Sequence, residues 1–152
     1  MKNLVKTIIS LSLVSMLVFT FTACGKYDGT YNAVLIYQDC ALSSVISDIK
    51  VEFDNENEVF VEDTYVGCLE DSTISSSHWG KAATFFASVV PSKISIEKIM
   101  ECTTCQKAVL YDNDIVKARV AFLKINNAII MLCYSSAEDS ATIFRVYELE
   151  RV

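Results

Sequence analysis

From residue 30 onward, apolar and polar residues alternate in short runs, the period-two signature of strands that bury one face. Thr30 to Tyr37, rich in β-branched and aromatic residues, predicts a first strand. From Asp48 the pattern sharpens: Ile49, Val51 and Phe53 fall on one side, and Lys50, Glu52 and Asp54 on the other. The polar run Asp54 to Glu58 predicts a hairpin turn, with Val59 to Glu62 as the returning strand. A calcium loop is the sharper alternative for that acidic run, but the glycine and distal glutamate of an EF-hand are missing. Near the C-terminus, Ile115 to Ile125 predicts a long strand with Val116, Ala118, Val120 and Phe122 on one face and Lys117 and Arg119 on the other. Asn126 and Asn127 tolerate positive φ, so Ala128 to Tyr134 is expected to run back antiparallel. A polar turn, Ser135 to Ser140, then leads into a third strand from Ala141 to Val152.

The middle, Asp63 to Lys107, is less regular. Ser72 to Ser77 reads as a polar loop, and Lys81 to Val90 fits a short helix or a buried strand ended by Pro91. Ser95 is placed to cap a helix whose inner face is Ile96, Ile99 and Met100, although Ile94, Ile96 and Lys98 also fit a strand. The fold class that follows is mainly β: an antiparallel meander closing into a barrel or sandwich, with one or two short helices in the middle. Closure is favoured because it hides edge strands that would otherwise pair between molecules.

The first 23 residues follow a different pattern. Lys2 and Lys6 precede an uncharged apolar run from Thr7 to Ala23, the plan of a secretory signal. At about 17 residues the run is at the short limit for a spanning helix, which leaves an uncleaved anchor as the alternative. Phe21-Thr22-Ala23-Cys24 resembles the bacterial lipobox, in which an apolar residue, two small residues and a cysteine close the signal. That resemblance implies cleavage before Cys24 and a diacylglyceryl group on its thiol; Phe21 departs from the leucine usual at its position. Two acyl chains, at roughly 0.8 kcal/mol per buried methylene, hold a protein on a membrane without a spanning helix. The expected division is a signal peptide at 1–23, a lipidated tether at 24–29 and a single domain at 30–152, lipid-anchored on the extracytoplasmic side of a cell membrane or outer membrane.

Charge narrows the partners. The chain has 13 Lys plus Arg against 19 Asp plus Glu, and removing the signal with its two lysines leaves 11 against 19. No clustered positive surface is visible for phosphate, which argues against nucleic acid and against anionic lipid headgroups.

With Cys24 committed to lipid, Cys40, Cys68, Cys102, Cys105 and Cys133 remain, an odd number that leaves a thiol over in a monomer. Cys102-Thr-Thr-Cys105 has the spacing of a redox dithiol or a disulfide, but no aromatic residue precedes it and Pro91 lies upstream. Zinc would need Cys68 or His78 to join that pair; there is no second paired motif, so no metal is assigned. Cys133, inside Ile129 to Leu132 and onward, reads as a small buried hydrophobe. His78 has no nucleophile elbow to serve, and four glycines offer no phosphate loop. No catalytic residue or cofactor is expected.

Asp28-Gly29-Thr30-Tyr31 resembles the Gly-x-Trp opening of lipocalin-like proteins, with Tyr31 in place of Trp, and the close at Arg145, Tyr147 and Arg151 is similar to small bacterial lipocalin-like lipoproteins. The resemblance implies that Tyr31 plugs one end of a barrel and that Arg145 or Arg151 packs over it. The expectation is a non-enzymatic binding module for a small apolar ligand, with Tyr31, Phe53, Val120, Phe122, Phe144 and Val146 among the apolar strand residues; the rival expectations are an envelope structural or protein-interaction module and a thiol-disulfide protein using Cys102 and Cys105.

Overall fold

The alternation resolves into nine strands in the computed structural model, which describes residues 27–42, 44–46, 48–80, 86–113, 115–136 and 141–152. In chain order these are β1 (Gly29–Asp39), β2 (Ile49–Phe53), β3 (Glu58–Val61), β4 (Thr64–Thr73), β5 (Phe86–Ser88), β6 (Thr104–Asp112), β7 (Ile115–Ile125), β8 (Ala128–Tyr134) and β9 (Ile143–Arg151). All pairings are antiparallel. The order β2-β3-β4-β6-β7-β8-β9-β1 closes on itself because β1 also pairs with β2, giving an eight-stranded barrel. Strand β5 adds to the far half of β1, Tyr37 to Asp39, where β2 does not reach.

Turn chemistry matches the sequence. Asp54 caps the β2–β3 turn by accepting from the backbone N–H groups of Glu56 and Glu58, both at 2.9 Å, and Asn57 takes φ 65°. The acidic run is therefore a hairpin tip. Asn126 takes φ 57° in the tight turn between β7 and β8. Gly67 answers a close approach rather than a turn: at φ 133°, a Cβ there would stand 2.4 Å from the carbonyl carbon and oxygen of Val109 on the adjacent β6.

Inward residues form one core. Tyr31, Ala33 and Leu35 of β1 meet Val51, Phe53, Val59, Ala108, Phe122, Met131, Tyr147 and Leu149. The segment between β4 and β6 builds a second core on the outside of the wall. Its Ile74, Trp79, Ile94 and Ile99 pack against Ala121, Leu123, Ile130, Leu132 and Val146. Within it, Ser76–Trp79 is a single 3-10 turn, and helix α1 (Ile96–Met100) starts where expected, the Ser95 hydroxyl accepting from Lys98 N at 3.3 Å.

Three expectations change. First, β4 runs to Thr73, through the start of what reads as a polar loop. Second, in the Lys81 to Val90 stretch the structure describes only residues from 86 on; of these Phe86–Ser88 form strand β5, the strand alternative, but with Phe86 half-buried and Ala87 and Ser88 exposed rather than buried. Third, a bulge shifts the β6–β7 register, so that Ala108 faces Val120 but Leu110 faces Lys117. Val120 and Phe122 therefore belong to the inner core, whereas Val116 and Ala118 line an outer cavity with Tyr134. Val146 likewise faces the outer core, and Phe144 is half-buried.

Candidate functional site

The two ends of the barrel differ in chemistry. At the first end Tyr27 precedes β1 and its ring stacks on Phe53, centroids 5.0 Å apart, while Phe53 meets Phe122 edge to face at 5.0 Å and Tyr31 at 5.7 Å. The Tyr31 hydroxyl donates to the Asp28 carbonyl at 3.0 Å. Burial pushes the Tyr27 phenol up to about 12. This aromatic cluster fills the barrel end from which the chain enters.

Of the two basic residues expected over Tyr31, Arg151 lies opposite it in the β1–β9 register, with its guanidinium 3.4 Å from where a Gly29 side chain would begin. Arg145 does not share that end. It pairs with Gln38 near the far end of β1, because a bulge around Ile36 and the intervening strand length carry it away from Tyr31. The physical reason is strand geometry: at about 3.3 Å per residue, six positions along β9 span roughly 20 Å.

At this far end the inner face becomes polar. Arg145 follows Tyr147 on the inward side of β9, Gln38 stands opposite it on β1, and Cys133 stands opposite it on β8. Gln38 and Arg145 are the buried polar residues among those described, 8% and 9% exposed. One terminal nitrogen of Arg145 donates to the Ser44 carbonyl at 3.0 Å and the Ser44 hydroxyl at 3.2 Å. The guanidinium also lies 5.2 Å over the Phe144 ring. Gln38 Nε2 donates to the Leu42 carbonyl at 3.4 Å. Arg145 Nε and Gln38 Oε1 remain buried without a hydrogen-bond partner. Burial pushes the Cys133 thiol up to about 12 although the Arg145 charge pulls the other way. Around this end stand exposed apolar side chains: Val45, Ile46, Tyr65, Tyr111, Ile115 and Val116.

The remaining candidates lie elsewhere. Cys24 and the Phe21-Thr22-Ala23 motif fall outside the described residues. Cys102 and Cys105 border a cleft of about 560 Å³ with Tyr27, Asp71 and Lys124. Both are free thiols pushed up mainly by burial. Cys102 follows the carbonyl end of α1, its Sγ toward the Lys98 carbonyl at 3.6 Å, the reverse of the helix N-terminus that stabilises a redox thiolate. His78 lines a separate outer cavity of about 260 Å³ with Lys107 and Tyr134; its Nδ1 accepts from Ser75 N, and its ring meets Tyr134 edge-on. Among the described residues no three His, Cys, Asp or Glu side chains gather as a metal set.

No known protein family, curated protein or solved structure matches this chain. Arg145, one of the two alternatives that the resemblance places over Tyr31, lies at the other end, and the one signal for Gln38 in the sequence is a polar residue closing the apolar run Val34 to Tyr37.

Proposed function

We propose that this chain is exported, cut before Cys24 and held by lipid on that cysteine at the extracytoplasmic face of a cell membrane or outer membrane, where its barrel is a non-enzymatic binding module for a small, largely apolar ligand. The observation that carries the reading is the placement of Tyr27 in the barrel-end aromatic cluster, three residues after Cys24. A lipidated Cys24 thus leaves at most about 10 Å of chain between membrane and barrel. The plugged end then faces the bilayer, and the end holding Gln38 and Arg145 faces away from it.

The test is mass spectrometry of the protein purified from its native membrane, intact and after solvent extraction. A mass beginning at Cys24 plus lipid, lost in Cys24→Ala, with a stoichiometric small molecule in the extract, is the expected result. A mass beginning at Met1 removes the anchor, and an empty extract removes the ligand. The exposed Val45, Ile46, Tyr65, Tyr111, Ile115 and Val116 favour a second reading, docking of an envelope protein on the far end. Photo-crosslinkers at positions 46 and 115 that trap one protein, with an empty extract, would establish it.

A further inference from the structure

Burying a guanidinium costs free energy unless its donors are met, and natural proteins meet them with carboxylates. No carboxylate among the described residues pairs with Arg145, whose neighbours are neutral: the Ser44 carbonyl and hydroxyl, the Tyr147 hydroxyl and the inward Cys133. Its Nε still lacks an acceptor, and Gln38 Oε1, directly across the β1–β9 pair, lacks a donor. A simple anion satisfies the first atom and not the second. A carboxylate with an O–H on the neighbouring carbon satisfies both: its oxygens take the guanidinium, and its hydroxyl donates to Gln38.

From this complementarity we infer that Gln38 and Arg145 form the head-group site for an apolar 2-hydroxy carboxylate at the far end of the barrel. The inference rests on the binding-module reading and names the chemistry of its ligand. The inward space below is taken by Leu35, Met131 and Tyr147, each nearly fully buried, so the apolar remainder of the ligand points outward along Val45 and Ile46, beside Ser44. Ser44 supplies neutral oxygens to the guanidinium until the carboxylate replaces them. Arg145 fixes charge, and Gln38 fixes the choice of a hydroxy acid over a plain one.

The experiment is calorimetric titration of the full lipidated protein in a neutral detergent with 2-hydroxyhexanoate, hexanoate and 1,2-hexanediol, on the wild type and on Arg145→Met, Gln38→Leu and the exposed-arginine control Arg119→Met. The expected result is binding of 2-hydroxyhexanoate about tenfold tighter than the diol, lost in Arg145→Met and kept in Arg119→Met. Gln38→Leu should bind hexanoate and 2-hydroxyhexanoate alike. Should Arg145→Met fail to fold by circular dichroism, the Gln38→Leu comparison still decides, because an unchanged hydroxy-acid preference overturns the assignment. Equal binding of the diol, or wild-type affinity in a folded Arg145→Met, overturns it too; two orphan atoms bridged by water alone would give that pattern. A neutral molecule recovered in the solvent extract together with no acid binding overturns the Gln38–Arg145 site while leaving the binding module standing.

Discussion

Cys133 lies on the inward side of β8, across from Arg145, and burial raises its thiol from near 9 to about 12. The folded protein therefore keeps this proton at a pH where the unfolded chain has released it. Because the unfolded state then binds fewer protons, stability falls as pH rises above 9, and the loss continues until the folded thiol titrates near 12. The slope reaches up to about 1.4 kcal/mol per pH unit for a single such group. Tyr27 and Tyr147, both raised to about 12 chiefly by burial, extend the same effect above pH 10. Thermal melts between pH 7.5 and 10 should show a declining midpoint for the wild type and a flatter decline for Cys133→Ala. Identical slopes would mean that the thiol is reached by solvent.

Among the elements, β4 leaves no room for a side chain at Gly67, where the obstruction is the backbone of Val109 and Leu110 on β6 rather than a movable side chain. Gly67→Ala must both strain a φ of 133° and push the Val109 carbonyl aside, so it should cost about 2–4 kcal/mol, read as a lower urea midpoint. A midpoint within error of the wild type would mean that the two strands can separate freely. The same strand shows why some elements were legible in the sequence and others were not. In β2 the buried Val51 and Phe53 alternate with charged neighbours, and β8 and β9 follow clear apolar runs after recognisable turns. In β4 Gly67, Cys68, Glu70 and Asp71 interrupt any period, since most of its residues are half-buried or exposed and the pairing with β3 shifts register. The site at Gln38 and Arg145 was hidden for a related reason. Each side of it depends on a bulge, around Ile36 and around Phe144, and a bulge changes which face a residue occupies without altering residue type.

For the whole molecule, the outer core ties the segment between β4 and β6 to the barrel wall, and its centre is Trp79, the chain's one tryptophan, 3% exposed and edge-on to Phe86. If the cover and the barrel are one cooperative unit, Trp79 fluorescence and far-ultraviolet circular dichroism should trace a single coincident urea transition. An earlier fluorescence change would show the cover lifting from a barrel that stays folded. The double burial of β7 to β9 has another consequence. Ala121, Leu123, Ile130, Leu132 and Val146 are apolar toward the outside, while Phe122, Met131, Tyr147 and Leu149 are apolar toward the inside. In most sheets a one-residue slip is punished at once, because it drives polar groups into the core. In β8, apolar throughout, a slip would exchange Ile130 and Leu132 for Ile129, Met131 and Cys133, so the side-chain pattern of that strand guards registry only weakly. That duty passes to the corners of the chain: the left-handed Asn126 between β7 and β8 and the bulge between Cys133 and Tyr134 hold the strands in step, and damage there would yield mispaired barrels rather than merely weaker ones.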